Sequence, residues 1–328
     1  MRERKQQSRP RGRAVAWLTA GALGMSAMLL PVAPARADAH IGVRRLSPGP
    51  LAPVLDCLAK RDVVTVVGRQ TRRFTDDIAP DQTVNALGAS WLQVNNWPIS
   101  FGGGAGGCWV GGRVLGTYSQ STPWSAFHHT GAMNISNPHF RVVGFRVHNI
   151  GDGIRIVAGA RDFSISGVHM SFIHDDCVEN DQLYSGTIEH SLFDGCYVGF
   201  SARPSHGDSA EGRRNTETFR GNVVRLQPTP TVYKGRAPGT GGFFKWDQSR
   251  RAPKLVIEDN VFRADQRPNH QDLGIPRGDH VQCRNNVVVW LGKGRYPDAL
   301  PKCFTVTRDR KVWDRAVAGW YATHPWNP

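Results

Sequence analysis

Asp152 and Asp175 stand 23 residues apart, with Asp176 directly after the second of them. If the chain repeats with that period, the two carboxylates lie one above the other on consecutive repeats. Like charges at that range raise at least one pKa. A carboxyl that keeps its proton beside one that has lost it is the minimum equipment for cleaving a glycosidic bond. His174, Glu179 and Asp181 share the stretch, and Asp175, Asp176, Glu179 and Asp181 are also hard oxygen ligands that suit Ca2+. The plain alternative is that Asp152, Asp175 and Asp176 only shape turns, where acidic side chains hydrogen-bond their own backbone. Geometry adds a condition. Residues 175 and 176 face opposite ways in a regular strand, so both reach one cleft only if the strand ends there.

The repeat that must position them is visible. Segments 140–147, 163–170 and 186–193 align at a spacing of 23, with Gly144, Gly167 and His190 in one register. Later segments 219–224, 255–262 and 281–288 continue the theme, and in them Asn222, Asn260 and Asn286 share a position that predicts a stacked amide ladder. Each segment is a short run rich in β-branched residues and bounded by Gly, Asn or Asp, the pattern of a strand ended by a turn. A unit of 23 residues holds about three such strands and cannot bury its own apolar face, so successive units must stack, about 4.8 Å apart. The expected fold is all-β: a right-handed parallel β-helix over residues 38–300, in coils of about 23 residues. The interruptions at 204–217 and 227–242 read as loop insertions on one face, and the tail 301–328, with Trp313, Trp320 and Trp326, as a cap over the open end.

Residues 1–37 read as an export signal: six basic residues up to Arg13, an apolar stretch from Ala14 to Leu30, and Ala35-Arg36-Ala37 before a cut preceding Asp38. The expected location is therefore extracellular or periplasmic, with no membrane contact after cleavage. Its removal lowers the formal charge from +14 to +8, through loss of seven Lys/Arg and one Glu. The remaining excess fits an acidic polymer. The chain lacks the helix, zinc-finger and RNA-binding signatures of nucleic-acid readers, so an anionic polysaccharide is the expected partner. Six cysteines in an exported chain predict up to three disulfides, and local spacing favours Cys177–Cys196 and Cys283–Cys303, leaving Cys57–Cys108.

Asn149-Ile-Gly-Asp152 in one coil, followed by Asp175-Asp176-Cys177-Val178 in the next, resembles the Asn-Thr-Asp and Asp-Asp-Cys motifs of the polygalacturonase family of glycoside hydrolases, within the pectin-lyase-like β-helix superfamily. The resemblance covers residues 140–205. It implies that Asp175 is the general acid and that Asp152 and Asp176 position and activate water in an inverting hydrolysis, with no cofactor. That family also uses a histidine in the following coil and a later Arg-Ile-Lys. Here these places read Cys196-Tyr-Val-Gly-Phe200 and Phe243-Phe-Lys245, so Tyr197, Arg203, His206 and Lys245, with His174, are the candidate substrate-binding substitutes. An alternative reading is a polysaccharide lyase or epimerase, with Ca2+ on the acidic stretch and Lys245 or Arg203 as the base. A non-catalytic carbohydrate-binding or surface solenoid would use the same face without acid–base chemistry.

Other motifs carry less. Residues 102–107 match G-x-G-x-x-G without the surrounding strand and helix, which leaves a glycine-rich turn. His128-His129 lacks a partner at metal-ligand spacing and reads as a surface pair. There is no C-x-x-C, H-E-x-x-H or G-x-S-x-G, which removes redox, zinc-protease and serine-esterase chemistry. Trp124, Phe127, Tyr233, Phe243, Phe244 and Trp246 offer sugar-stacking surfaces, with core packing or coil capping as the default for each.

Overall fold

A computed structural model describes residues 51–119, 121–204, 209–229, 239–246, 251–269, 273–279 and 281–325. The export segment and its cleavage point, together with His206, Tyr233 and Trp326, lie outside these residues.

The residues that set the repeat are corners. Gly144, Gly167 and Gly221 have φ of 67°, 58° and 62°, in the left-handed region that glycine enters without steric cost. At the matching corners of other coils His190, Asp259 and Asn285 take φ of 49°, 57° and 52°; these are side chains enriched in that conformation. Each such corner separates two strands, and the strands of successive coils stack in parallel. One ladder runs through Cys108–Val110, Arg141–Val143, Phe163–Ser166, Gly186–Glu189, Thr216–Arg220, Lys254–Glu258 and Val281–Arg284. The second runs from Arg113–Leu115 through Arg146–Ile150 and on to Asn286–Trp290 and Phe304–Thr307. A third ladder carries the acidic residues: Ile99–Phe101, then β1 (Gly131–Ile135), β2 (Asp152–Ile156), the distal part of β3 (His169–Glu179), the distal part of β4 (Leu192–Ala202) and β5 (Phe244–Trp246). Every strand pairing among the described residues is parallel, and the chain is the expected right-handed parallel β-helix.

Alternation along the strands fills the interior. Met133, Ile154, Val178, Phe200 and Phe244 from the third ladder meet Val142, Ile165, Ile188, Phe219 and Ile257 from the first and Val147, Met170, Phe193, Val224 and Phe262 from the second. Where the second ladder begins, the amide column forms: Asn260 Oδ1 accepts from the Asn222 N–H at 2.9 Å, and Asn286 Oδ1 from the Asn260 N–H at 3.1 Å. Asn222 Oδ1 accepts in turn from the Ser191 N–H. All three asparagines are buried, and a buried amide that is fully bonded adds stability where an unbonded one would subtract it.

The three disulfides join the pairs that spacing favours, Cys57–Cys108, Cys177–Cys196 and Cys283–Cys303, which is compatible with an extracellular or periplasmic protein. Helix α1 (Leu51–Leu58) is tied to the first ladder by Cys57–Cys108, and its Val54 packs on Cys108, Val110 and Val143. Helix α2 (Trp124–Phe127) is a single turn beside the acidic ladder.

The described part of the tail, 301–325, contributes a strand and a helix. Phe304–Thr307 adds one more strand to the second ladder. Helix α3 (Arg310–Thr323), capped by Asp309 at its N-terminus, then lies lengthwise on the outer flank of that ladder. Its Val312, Trp313, Ala316 and Trp320 bury against Leu192, Val223, Val261, Val287 and Val289, an apolar outer surface that would otherwise face water. Trp320 Nε1 donates to the His190 carbonyl at 2.7 Å, fixing the far end of the helix on a middle coil. No helix among the described residues is long and apolar enough to cross a membrane.

Candidate active site

The acidic residues meet where the chain passes from the second ladder to the third. Asn149 makes that corner at φ 58°, and its Nδ2 donates to the carbonyls of Gly116 and Tyr118. This leaves Asn149 Oδ1 to accept from His174 Nε2 at 2.8 Å. The asparagine of the Asn149-Ile-Gly-Asp152 motif therefore holds the floor of the site.

The register of this corner differs from a uniform 23. Ile150 pairs with Ile173, a step of 23, but Ile154 pairs with Val178, a step of 24. β3 thus carries one extra residue at the bend, a bulge of the kind that re-aims side chains. Continued back two residues, the register of 24 sets Asp176, rather than Asp175, level with Asp152, and the Asp176 N–H donates to Asp152 Oδ1 at 3.2 Å. The bulge also settles which way the side chains face. Cys177 and Val178 both enter the core, so the strict alternation is broken and Asp176 and Glu179 on either side of them both face out. On β5, Phe244 and Trp246 are in the core, so Lys245 between them faces out, and its Nζ meets Asp176 Oδ2 at 2.6 Å.

Asp152, Asp175 and Asp176 each present an oxygen within 4.8 Å of the others. Asp152 and Asp176 are 3% and 1% exposed, and Asp175 is the most open of the three at 9%. Asp176 Oδ1 is buried without a hydrogen bond among the described residues. Burial, reinforced by Glu179, Asp175 and Asp176, holds the Asp152 pKa well above the ordinary carboxyl range. Burial and the charges of Asp176 and Asp181 push Glu179 up to about 8, against the pull of Lys245 and Arg155. Burial works against the Lys245 ammonium, yet Asp176, Asp175 and Glu179 outweigh it and hold the lysine pKa above its usual value. Asp152 and Glu179 thus tend to keep their protons beside one fixed cation, Lys245.

The other residues expected here divide. His174 is no substrate contact: it is buried, its ring lies flat on Phe127 with centroids 3.8 Å apart, and burial pushes its pKa down to about 4. Tyr197 is likewise buried, beneath the backbone of Gly241. Arg203 is exposed one residue past the end of β4. Asp181 is half-buried past the end of β3, so the tight oxygen cluster contains Asp152 and not Glu179 or Asp181, a different set from the expected Ca2+ ligands.

Three residues are brought to the site that the sequence reading left aside. His128, read as part of a surface pair, stacks on Trp124 and has its Nδ1 3.9 Å from Asp175 Oδ2. Arg155 shares the outer column with Glu179, with Nε 4.0 Å from Glu179 Oε2. Trp97 lies over Gly131, where any Cβ would stand 2.3 Å from the indole, and Gly131 is the strand partner of Asp152. Local sequence holds no signal for Trp97 or His128, because each arrives from a loop and is defined by what it covers. Arg155 was legible in principle, as the residue one register position before Glu179 in the next coil. No protein family, curated protein or solved structure matches this chain.

Proposed function

We propose that this protein hydrolyses glycosidic bonds of an anionic polysaccharide. The observation that carries the reading is the three-aspartate cluster on two consecutive coils, with oxygens within 4.8 Å and its most open member, Asp175, facing His128. A cluster that keeps a proton to neutral pH supplies the acid, and Asp175 is the member placed to deliver it to a leaving oxygen. Asp176, anchored by Lys245, and Asp152, whose Oδ1 accepts from the Asp176 N–H, are the carboxylates assigned to the attacking water, as the polygalacturonase-like motifs imply. The polygalacturonase-like motifs support the same assignment.

A calcium lyase is the second reading, because three hard oxygen donors within 4.8 Å also fit a divalent cation. Its base is the weaker part. Lys245 is held as an ammonium by three carboxylates, whereas a base must lose its proton near the working pH. The test is product analysis of the purified protein on neutral and uronate polysaccharides, with and without a calcium chelator. New reducing ends without unsaturated sugar, unchanged by the chelator, are the expected result. Unsaturated products lost on chelation would move the site to the lyase, and binding without turnover would leave a carbohydrate-binding solenoid.

A further inference from the structure

Arg155 is built like a receptor for an anion. Its Nε donates to Asn134 Oδ1 at 3.1 Å, and its guanidinium carbon lies 4.2 Å from the centre of the Trp97 ring. Trp97 is itself fixed, its backbone N–H donating to Gly131 O at 2.8 Å and its Nε1 to His129 O at 3.2 Å. The arginine plane is thus held from behind and from one edge. Its two terminal nitrogens bond to no protein group among the described residues, and the side chain is 38% exposed. A planar fork already ordered by stacking loses little freedom when it closes on a carboxylate, and it binds one through two parallel hydrogen bonds. The position matters as much. Gly131, on which the Trp97 indole rests, is the strand partner of Asp152, and Arg155 follows Asp152 by three residues on β2. A polymer lying across the aspartates along this face therefore brings the unit next to the bond being cut over Trp97 and Arg155. Glu179 stands beside the fork at 4.0 Å, beyond hydrogen-bond range, and burial favours its neutral form, so it leaves the guanidinium charge largely uncompensated.

We infer that Arg155, held on Trp97 and Asn134, is the specificity-determining residue that receives the carboxylate of the uronate unit adjoining the scissile bond. This rests on the polysaccharide-hydrolase reading above and names its substrate class. The experiment measures binding in the Asp175→Asn background, so that it does not depend on turnover. Galacturonate, glucuronate and mannuronate trimers are each titrated against their methyl esters by calorimetry, with Arg155 intact, with Arg155→Gln and with Arg155→Lys. The expected result is a preference for at least one free acid over its ester of about 10- to 100-fold. Arg155→Gln removes that preference by weakening the acid alone, and Arg155→Lys restores only part of it, since an ammonium supplies charge without the fork. An unchanged preference in Arg155→Gln, equal losses for acid and ester, or no binding of any free acid would overturn the inference. Its failure is separable from that of the hydrolase. Arg155-dependent binding by a protein that cuts nothing keeps the receptor and removes the enzyme, whereas cleavage indifferent to Arg155 does the reverse.

Discussion

Two columns of short polar side chains stand at comparable places in this solenoid, each where a strand begins after a corner, and they have opposite energetics. Asn222, Asn260 and Asn286 carry donor and acceptor on the same group, so each amide satisfies the coil next to it. Asp152 and Asp176 carry acceptors only, and their one link runs the other way, from the later coil's N–H to the earlier coil's side chain. Their stack gains one backbone hydrogen bond, leaves Asp176 Oδ1 unclaimed and needs Lys245 and retained protons to be tolerated. The coil geometry is neutral between the two uses. One column satisfies itself, whereas the other is held by Lys245 and by protons that Asp152 and Glu179 tend to keep.

The sharpest break of this comparison is Asp175→Asn, which keeps shape and removes the acid. Hydrolysis should fall by about 10²–10⁴-fold while the melting temperature stays level or rises; undiminished turnover would take Asp175 out of the reaction. Next comes Glu217, a buried carboxyl on the strand Thr216–Arg220 that accepts from Asn180 Nδ2 at 3.1 Å and that burial pushes up to about 8. The folded chain therefore keeps a proton there that the unfolded chain releases near pH 4.5. Stability should drop as pH rises from about 5 to 8 and level off above, and Asp152 and Glu179 act in the same sense. Glu217→Gln should flatten that slope and stabilise the protein at pH 8 by about 4 kcal/mol, read from denaturant midpoints at several pH values. The smallest effects come from exchanging the columns. Asn260→Asp sets a carboxylate against Asn286 Oδ1 and should cost about 2 kcal/mol. Asp152→Asn should gain about 1 kcal/mol at neutral pH and lose activity. Opposite signs would confirm that the amide nitrogen, present in one column and absent from the other, sets the difference.

Much of the fold was legible because the repeat is written in few residue types. Gly144, Gly167 and His190 in register are the left-handed corners, and Asn222, Asn260 and Asn286 in register are the amide ladder. The spacing of the cysteines anticipated all three bridges. The site was legible in membership but not in arrangement. A spacing of 23 pairs Asp152 with Asp175; the extra residue in β3 pairs it with Asp176, and bulges leave no mark in a hydrophobic pattern when both flanking residues are apolar or buried. His174 has the residue type of a catalytic group, and only its packing on Phe127 shows it to be structural. Trp97 and His128 act through surfaces that fold over the coils, and such contacts follow from the whole path of the chain rather than from any local spacing.

Helix α3 changes how the molecule comes apart. A bare stack of coils is quasi-one-dimensional and can unravel rung by rung from either end. Here the last described element doubles back, and its Trp320 is fastened to His190, 130 residues earlier. The final rungs cannot peel away until this splint is lifted from four rungs at once, so the C-terminal half opens as a unit. The rungs that carry Lys245 and the aspartates sit inside or next to that braced segment, which keeps the spacing of the charged groups from breathing with the free end of the spring.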